Sequence, residues 1–439
     1  MAILNLSSAD ALKSLIGDKI SMFEFEPEEF IVEEIMQDGT ILEFGKKIEM
    51  QDEKLLKENQ YFSRFILQKR LWTTNNAIKR ISDQLHISAN RLNFAGNKDR
   101  NAISIQLCSA FAIPKEKLLS LRLKDIQING AWIANDKVKL GNLQGNRFTI
   151  LLNEENIGKE QFERLSASSI IARLEKNNFA MPNYFGDQRF GSARKNTAEV
   201  GKLILQGKFE EAVMNYLCFT DETERDEQAK SARIRLEKDR DFAKAMHFFP
   251  NFLRIEKRML ERLSKFPNDF LGAYRKLHRP LQLLFIHAFQ SLMFNKLLEK
   301  KLENGDWQKA NIGDHYCLLK NGFPQEEILE IETDSHLMDV QIQLNSRKAV
   351  LCANLIGYES ILTEGEAAIL LSEGISQEQF KLPSVPELGS KGDFRPICVY
   401  LSDFECSEME VNEKKCIRLR FSLPSGSYAT VAIQNLLKT

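Results

Sequence analysis

Residues 93–106 read NFAGNKDRNAISIQ, and the rest of the chain is best understood outward from them. Asn93-Phe94 is a strand-like approach that runs into Ala95-Gly96. The polar turn Asn97-Lys98-Asp99-Arg100 follows, and strand-forming residues resume at Ile103. Gly96 permits a tight backbone at the bend. Asp99 stands between two cations, and an adjacent cation favours the ionised carboxylate. A charged carboxylate on a loop between strands is a candidate nucleophile or base. The same spacing also fits a plain surface turn, whose ion pairs contribute little.

The flanking segments alternate between strand and helix. Residues 61–68, YFSRFILQ, are rich in aromatic and β-branched types and read as a strand. In TTNNAIKRISDQL, Thr73 or Thr74 can cap a helix whose apolar face is Ala77, Ile78, Ile81 and Leu85. Its polar face carries Lys79 and Arg80. Residues 103–107 and 148–152 are further strands, and 157–176 has helical periodicity. Residues 222–246 are strongly charged and read as exposed helix, and 280–303 as one long apolar-periodic helix. Pro383, Pro386, Gly389 and Gly392 mark a loop or boundary within 376–395. A last strand pair, roughly 396–402 and 416–422, precedes LPSGSYATVAIQNLL.

A chain of 439 residues is long enough for two or three domains, and 43% hydrophobic with 28% charged residues is ordinary for a globular protein. The net charge of −1 gives no general polyanion footprint. Its distribution is uneven, however. Lys69, Arg70, Lys79, Arg80, Arg91, Lys98 and Arg100 cluster against Asp83 and Asp99 alone. The stretch before them holds Glu24, Glu26, Glu28, Glu29, Glu33 and Glu34. Such runs often mark nothing more than a solvated face.

Other chemistries lack their residues. Asn97-Lys98-Asp99 is one residue short of the guanine-reading Asn-Lys-x-Asp, and no G-x-x-x-x-G-K-[ST] loop exists, so no nucleotide cofactor is expected. The six histidines form no His-x-x-x-His pair, and the seven cysteines form no Cys-x-x-Cys, so no metal is expected. His287 reads as a helix histidine. Scattered, unpatterned cysteines read as reduced thiols of a cytoplasmic protein. No signal peptide and no membrane-length apolar run is seen.

The segment 93–106 strongly resembles the signature of the TruD family of tRNA pseudouridine synthases, and further segments match it in order. They are 26–32 (EPEEFIV), 141–149 (GNLQGNRFT), 182–191 (PNYFGDQRFG) and 423–430 (LPSGSYAT). The stretch 288–295, AFQSLMFN, is similar to the archaeal and eukaryotic branch. The resemblance implies Asp99 as catalytic nucleophile, and Phe30, Asn146, Phe148 and Tyr428 as uridine-site residues. It implies an α/β (α+β) architecture. Residues 1–179 and 395–439 would form a pseudouridine synthase catalytic domain on a central mixed, mostly antiparallel sheet. Residues 180–394 would be an inserted α/β domain, with RNA in the cleft between the two. The chain departs from the family at Glu24, Glu26 and Glu29, which touches local phosphate contacts, and at Ile356, which touches a turn.

The implied reaction is isomerisation of a specific uridine, usually uridine 13 of tRNA, by a cofactor-independent monomer. The base must leave its stack, at a cost of a few kcal/mol. Stacking on an aromatic face such as Phe148 returns about 1–3 kcal/mol. Asn146 offers uracil a donor and an acceptor together. Lys79, Arg80, Lys98, Arg100 and Arg189 are candidates for the RNA backbone, with salt-dependent binding as the consequence. The segment 182–191 is expected to shape a hinge more than the chemistry. A non-catalytic RNA-binding or RNA-folding protein that keeps the uridine pocket is the alternative. A two-carboxylate glycoside hydrolase is disfavoured because the signature supplies only one carboxylate.

Overall fold

A computed structural model describes residues 23–56, 60–191, 194–222, 224–305 and 307–437. The strands in chain order begin with β1 (Phe30–Ile35), β2 (Phe62–Arg70), β3 (Leu92–Phe94), β4 (Ile103–Phe111), β5 (Ile126–Ala134) and β6 (Gly145–Leu152). After them come β7 (Ala180–Pro182), β8 (His315–Lys320), β9 (Phe323–Pro324), β10 (Leu329–Glu330) and β11 (Ala349–Leu355). The last are β12 (Asp393–Pro396), β13 (Cys398–Tyr400), β14 (Ser402–Val411) and β15 (Lys414–Pro424).

Eight strands form the main sheet, in the order β14-β15-β6-β1-β4-β2-β5, with β3 beside β4. The β1–β4 pairing is parallel, and the other pairings of this sheet are antiparallel. The sheet is therefore mixed and mostly antiparallel, as expected. Its N-terminal and C-terminal strands meet where β15 pairs along β6, from Ile417 opposite Leu152 to Pro424 opposite Gly145.

A smaller sheet, β10-β8-β11-β12 with β9 on β8, packs with the helices of the middle of the chain around a separate core. The chain enters and leaves this region side by side, because β7 and β13 pair with Met181 opposite Val399. At its centre lies the helix Arg279–Glu303, capped by His278, with Pro280 in its first turn. Gly201 of the neighbouring helix Thr197–Leu205 presses on it so closely that a Cβ would sit 2.0 Å from the Phe285 carbonyl oxygen.

Three expectations are corrected here. The helical pattern at 157–176 is interrupted by Gly158, at φ +86°, and resolves into short helices that include Lys159–Glu163 and Ala167–Lys176. The charged stretch 222–246 folds as helices Glu227–Asp239 and Phe242–Phe248, but it is not simply exposed, because Arg233 is buried. The final hairpin is β14–β15, and residues 393–400 belong to β12 and β13 instead. The edge strand β14, SDFECSEMEV, is mostly solvent-facing and polar, which hid it. All seven cysteines are free thiols. Among the described residues, no helix is long and apolar enough to cross a membrane.

Candidate active site

Alternation along paired strands builds one wall. Side chains two apart on a strand share a face, and residues directly opposite across a ladder lie together. Phe30, Val32 and Glu34 of β1 therefore stand with their β6 partners Ile150, Phe148 and Asn146. From β15, Phe421 and Leu423 join opposite Phe148 and Asn146. The Phe30 and Phe148 rings meet edge-on at 6.0 Å, and Phe421 backs Phe148 at 5.8 Å.

The 95–102 loop leaves β3 and returns in β4 above this wall. Its backbone is held from behind. Thr74, the first residue of the helix Thr74–Gln84, accepts the Lys98 amide at 2.9 Å and donates to Gln106 Oε1 at 2.9 Å. Gln106 in turn donates to the Gly96 carbonyl at 2.9 Å. Lys69, at the end of β2, is only 1% exposed. Its ammonium donates to the carbonyls of Trp72, Asp99 (3.0 Å) and Lys98 (3.4 Å). Burial pulls its pKa down to about 8, against the opposing pull of the Asp99 charge. The loop that presents Asp99 is thus fastened through its carbonyls by a buried cation.

Lys98 points away from Asp99. Its Nζ lies 2.9 Å from Glu34 Oε2 and donates to Asn146 Oδ1 at 2.6 Å. The other Glu34 oxygen accepts the Leu107 amide at 3.0 Å. Lys98 is buried in this pairing, so its expected contact with the RNA backbone is corrected. The acidic run is likewise not all a solvated face. Glu34 holds Lys98, Glu33 holds Arg147 at 2.6 Å, and Glu29 accepts from Asn153 at 2.6 Å. Because Asn146 Oδ1 faces Lys98, the amide presents chiefly its Nδ2 donor to a ligand.

The opposite wall comes from two segments that the fold brings together. In 182–191, Phe185 is gripped by Asn295 of the long helix, which accepts its amide and donates to its carbonyl. Phe185 meets the Tyr428 ring at 6.4 Å, and Gly186 leaves room for that ring, since a Cβ there would lie 3.1 Å from it. Arg395, almost wholly buried, ties the two segments by donating to Asn183 (2.8 Å to its side chain) and to the Gly426 carbonyl (3.0 Å). Burial pulls the Arg395 pKa down to about 10. The segment 182–191 is more than a hinge, for Gln188 donates to Asp99 Oδ2 at 3.3 Å.

These elements enclose a cavity of about 470 Å³ that Phe30, Lys98, Asp99, Asn146, Phe148 and Tyr428 all line. The size is that of a small-ligand site. Of the expected RNA-backbone residues, Lys79, Arg80 and Arg100 are exposed on the surface. Arg189 is half-buried, donates to Ser291 at 3.0 Å and lies over the Phe185 ring at 5.4 Å, which turns its guanidinium toward the interior. Sequence reading missed Glu34, Lys69, Thr74, Gln106, Gln188 and Arg395. A signal existed for Lys69, which stands in the apolar row Phe65, Leu67, Lys69 of β2, and for Gln188 inside a recognised motif. Arg395 has none. Among the described residues, no cluster of three or more His, Cys, Asp and Glu side chains is placed to hold a metal.

Known proteins resemble this chain over most of its length. Residues 21–436 match the family described as tRNA pseudouridine synthase D (TruD). A Thermococcus sibiricus protein assigned to that family is 33% identical over 436 residues, covering 96% of this chain and 95% of its own. One from Methanococcoides burtonii is 32% identical over 384 residues, covering 85% and 86%. The crystal structure of a Methanosarcina mazei protein assigned to the same family superposes with a TM-score of 0.72 at 30% identity, covering 97% of this chain and 95% of that one. On its sequence and on its fold, the chain belongs to the tRNA pseudouridine synthase D family.

Proposed function

We propose that this protein converts one uridine of transfer RNA, uridine 13, to pseudouridine, with Asp99 as nucleophile. The observation that carries the reading is the convergence of Asp99, Asn146, Phe30, Phe148 and Tyr428 on a single cavity. The extruded uracil lies against the Phe30–Phe148 wall, and Asn146 Nδ2 donates to one of its carbonyls. Gln188 occupies Asp99 Oδ2, which leaves Oδ1 to act at the ribose. The N1–C1′ bond breaks, the uracil turns within the cavity, and C5 bonds to C1′. C5 gives up its proton and N1 gains one, so the reaction is an isomerisation with no redox change. The phenylalanines hold the ring without exchanging protons.

Residues 180–394 act as an inserted domain that supplies Gln188, and the remainder is the catalytic domain. Lys79, Arg80 and Arg100 approach the RNA backbone. The protein works in the cytoplasm as a monomer. The test uses unmodified tRNA carrying tritium at uracil C5. Tritium release by the protein, and a loss of at least about 10⁴-fold in Asp99→Asn, is expected. Binding without release across a full tRNA pool would overturn the proposal in favour of a non-catalytic RNA-binding protein.

A further inference from the structure

A second cavity, of about 410 Å³, adjoins the first. The two share Gly141, Leu143, Ser425 and Ser427 as a common wall. Half of that wall is the 139–143 turn. The Asn142 side chain accepts the Lys139 amide at 2.7 Å, and the Gly141 amide donates to the Ala95 carbonyl at 2.8 Å. Gly141 sits at φ +91°, where glycine is favoured. The turn is therefore pinned to the start of the loop that carries Asp99. At its crest Leu140 is 75% exposed and faces the first cavity. The other half is the 425–427 loop, pinned through the Ser425 amide to the Gln144 carbonyl at 3.0 Å.

The far side of the second cavity comes from the middle of the chain, through Lys320, Phe323, Gln325 and Glu326. Phe323 reaches the main sheet itself. A Cβ on Gly145 would lie 2.6 Å from the Phe323 ring, so glycine at this position is what lets the ring seat on β6 beside Asn146. Gln37 and Gln144 face it, and the Gln144 side-chain Nε2 donates to the Gln37 backbone carbonyl at 2.7 Å. The lining thus combines an aromatic face and carboxamides with the charges of Lys320, Glu326 and Arg395. A nucleobase needs an aromatic face for its ring and paired donors and acceptors for its edge.

We infer that this second cavity is the subsite for the nucleotide directly adjoining the reacting uridine. Its base enters against Phe323 and Gln325, and Leu140 stands between the two splayed bases. The inference rests on the proposed reaction. Once a uridine is seated at Asp99, its strand must continue over a neighbouring wall, and the Gly141–Ser425 wall leads into a cavity of nucleotide chemistry. An apolar side chain in the gap between separated bases replaces part of their lost stacking.

The test measures kcat/KM for tritium release from tRNA assembled with an abasic residue immediately before or after the reacting uridine. One of the two abasic positions is expected to lower kcat/KM about tenfold or more. Phe323→Ala and Gln325→Ala should lower it on natural tRNA, yet cause little further loss on the sensitive abasic RNA. Gln325 is exposed, so its variant keeps the fold. Rates that ignore both abasic positions, or variant and abasic losses that multiply, would overturn the subsite alone. No release from natural tRNA would overturn the proposed reaction and the subsite with it.

Discussion

Two buried charge clusters in this protein are built alike and end differently. In the helical region, Arg233 reaches Glu224 at 3.1 Å, Glu256 at 2.9 Å and the Leu217 carbonyl at 2.9 Å. Arg194 approaches Glu256 at 3.8 Å and lies over the Tyr216 ring. In the main sheet, Glu34 holds Lys98, and Lys98 holds Asn146. Among the described residues, the first cluster closes on itself: its arginines reach only Glu224, Glu256 and the carbonyls of neighbouring helices. The last member of the second lines a cavity with Asp99. A buried ion pair is by itself weak evidence for stability or for function. What its outermost member faces is the informative part.

The comparison breaks most visibly at Lys98. Lys98→Met strands Glu34 and should cost about 3–5 kcal/mol in a urea titration, with a loss of tritium release beyond the loss of folded protein. Adding Glu34→Gln should restore most of the stability and none of the activity. Full activity in that double variant would make the pair structural only. Arg233→Met should cost a similar 3–5 kcal/mol. Release per folded molecule should stay unchanged, and a specific loss would erase the contrast.

Lys69 sharpens the comparison through pH. Its pKa is depressed to about 8 from an ordinary 10.5, so between those values the unfolded chain binds more protons, and this group's contribution to stability rises with pH. Activity should move the other way. Above pH 8 the Asp99 loop loses the charge behind it, so kcat should fall between pH 7 and 9 while this group takes nothing from the melting temperature. A flat kcat over that range would detach Lys69 from the loop. The smallest effect belongs to Gln188→Ala, whose 3.3 Å bond to Asp99 should be worth roughly 3- to 10-fold in kcat.

Sequence reading found the wall through motif order: Phe30, Asn146 and Phe148 came from the family resemblance, and of their strands only residues 148–152 were legible from the pattern of residue types. It could not see that Lys98 turns from its neighbour Asp99 to Glu34, because the register between β1 and β6 brings Glu34 beside Asn146. Adjacent charges in sequence looked like partners, and the true partners were set by pairing across strands. The interior role of Arg233 was hidden for the same reason, since its partner Glu256 lies on another helix. The mixed sheet was legible as a class, while the polar edge strand β14 was not.

The pairing of β15 along β6 also sets an order in time. β6 leaves the ribosome early, yet the strand that closes its open edge arrives only with residues 414–424. At roughly 5–20 residues per second, that interval is tens of seconds. Through it, Phe148 lacks Phe421 behind it, and the cavity lacks Tyr428. A nascent chain can carry Asp99 on its loop long before it owns a pocket that can hold a base. The uridine site is therefore assembled late, and a truncated product should be inert rather than partly active.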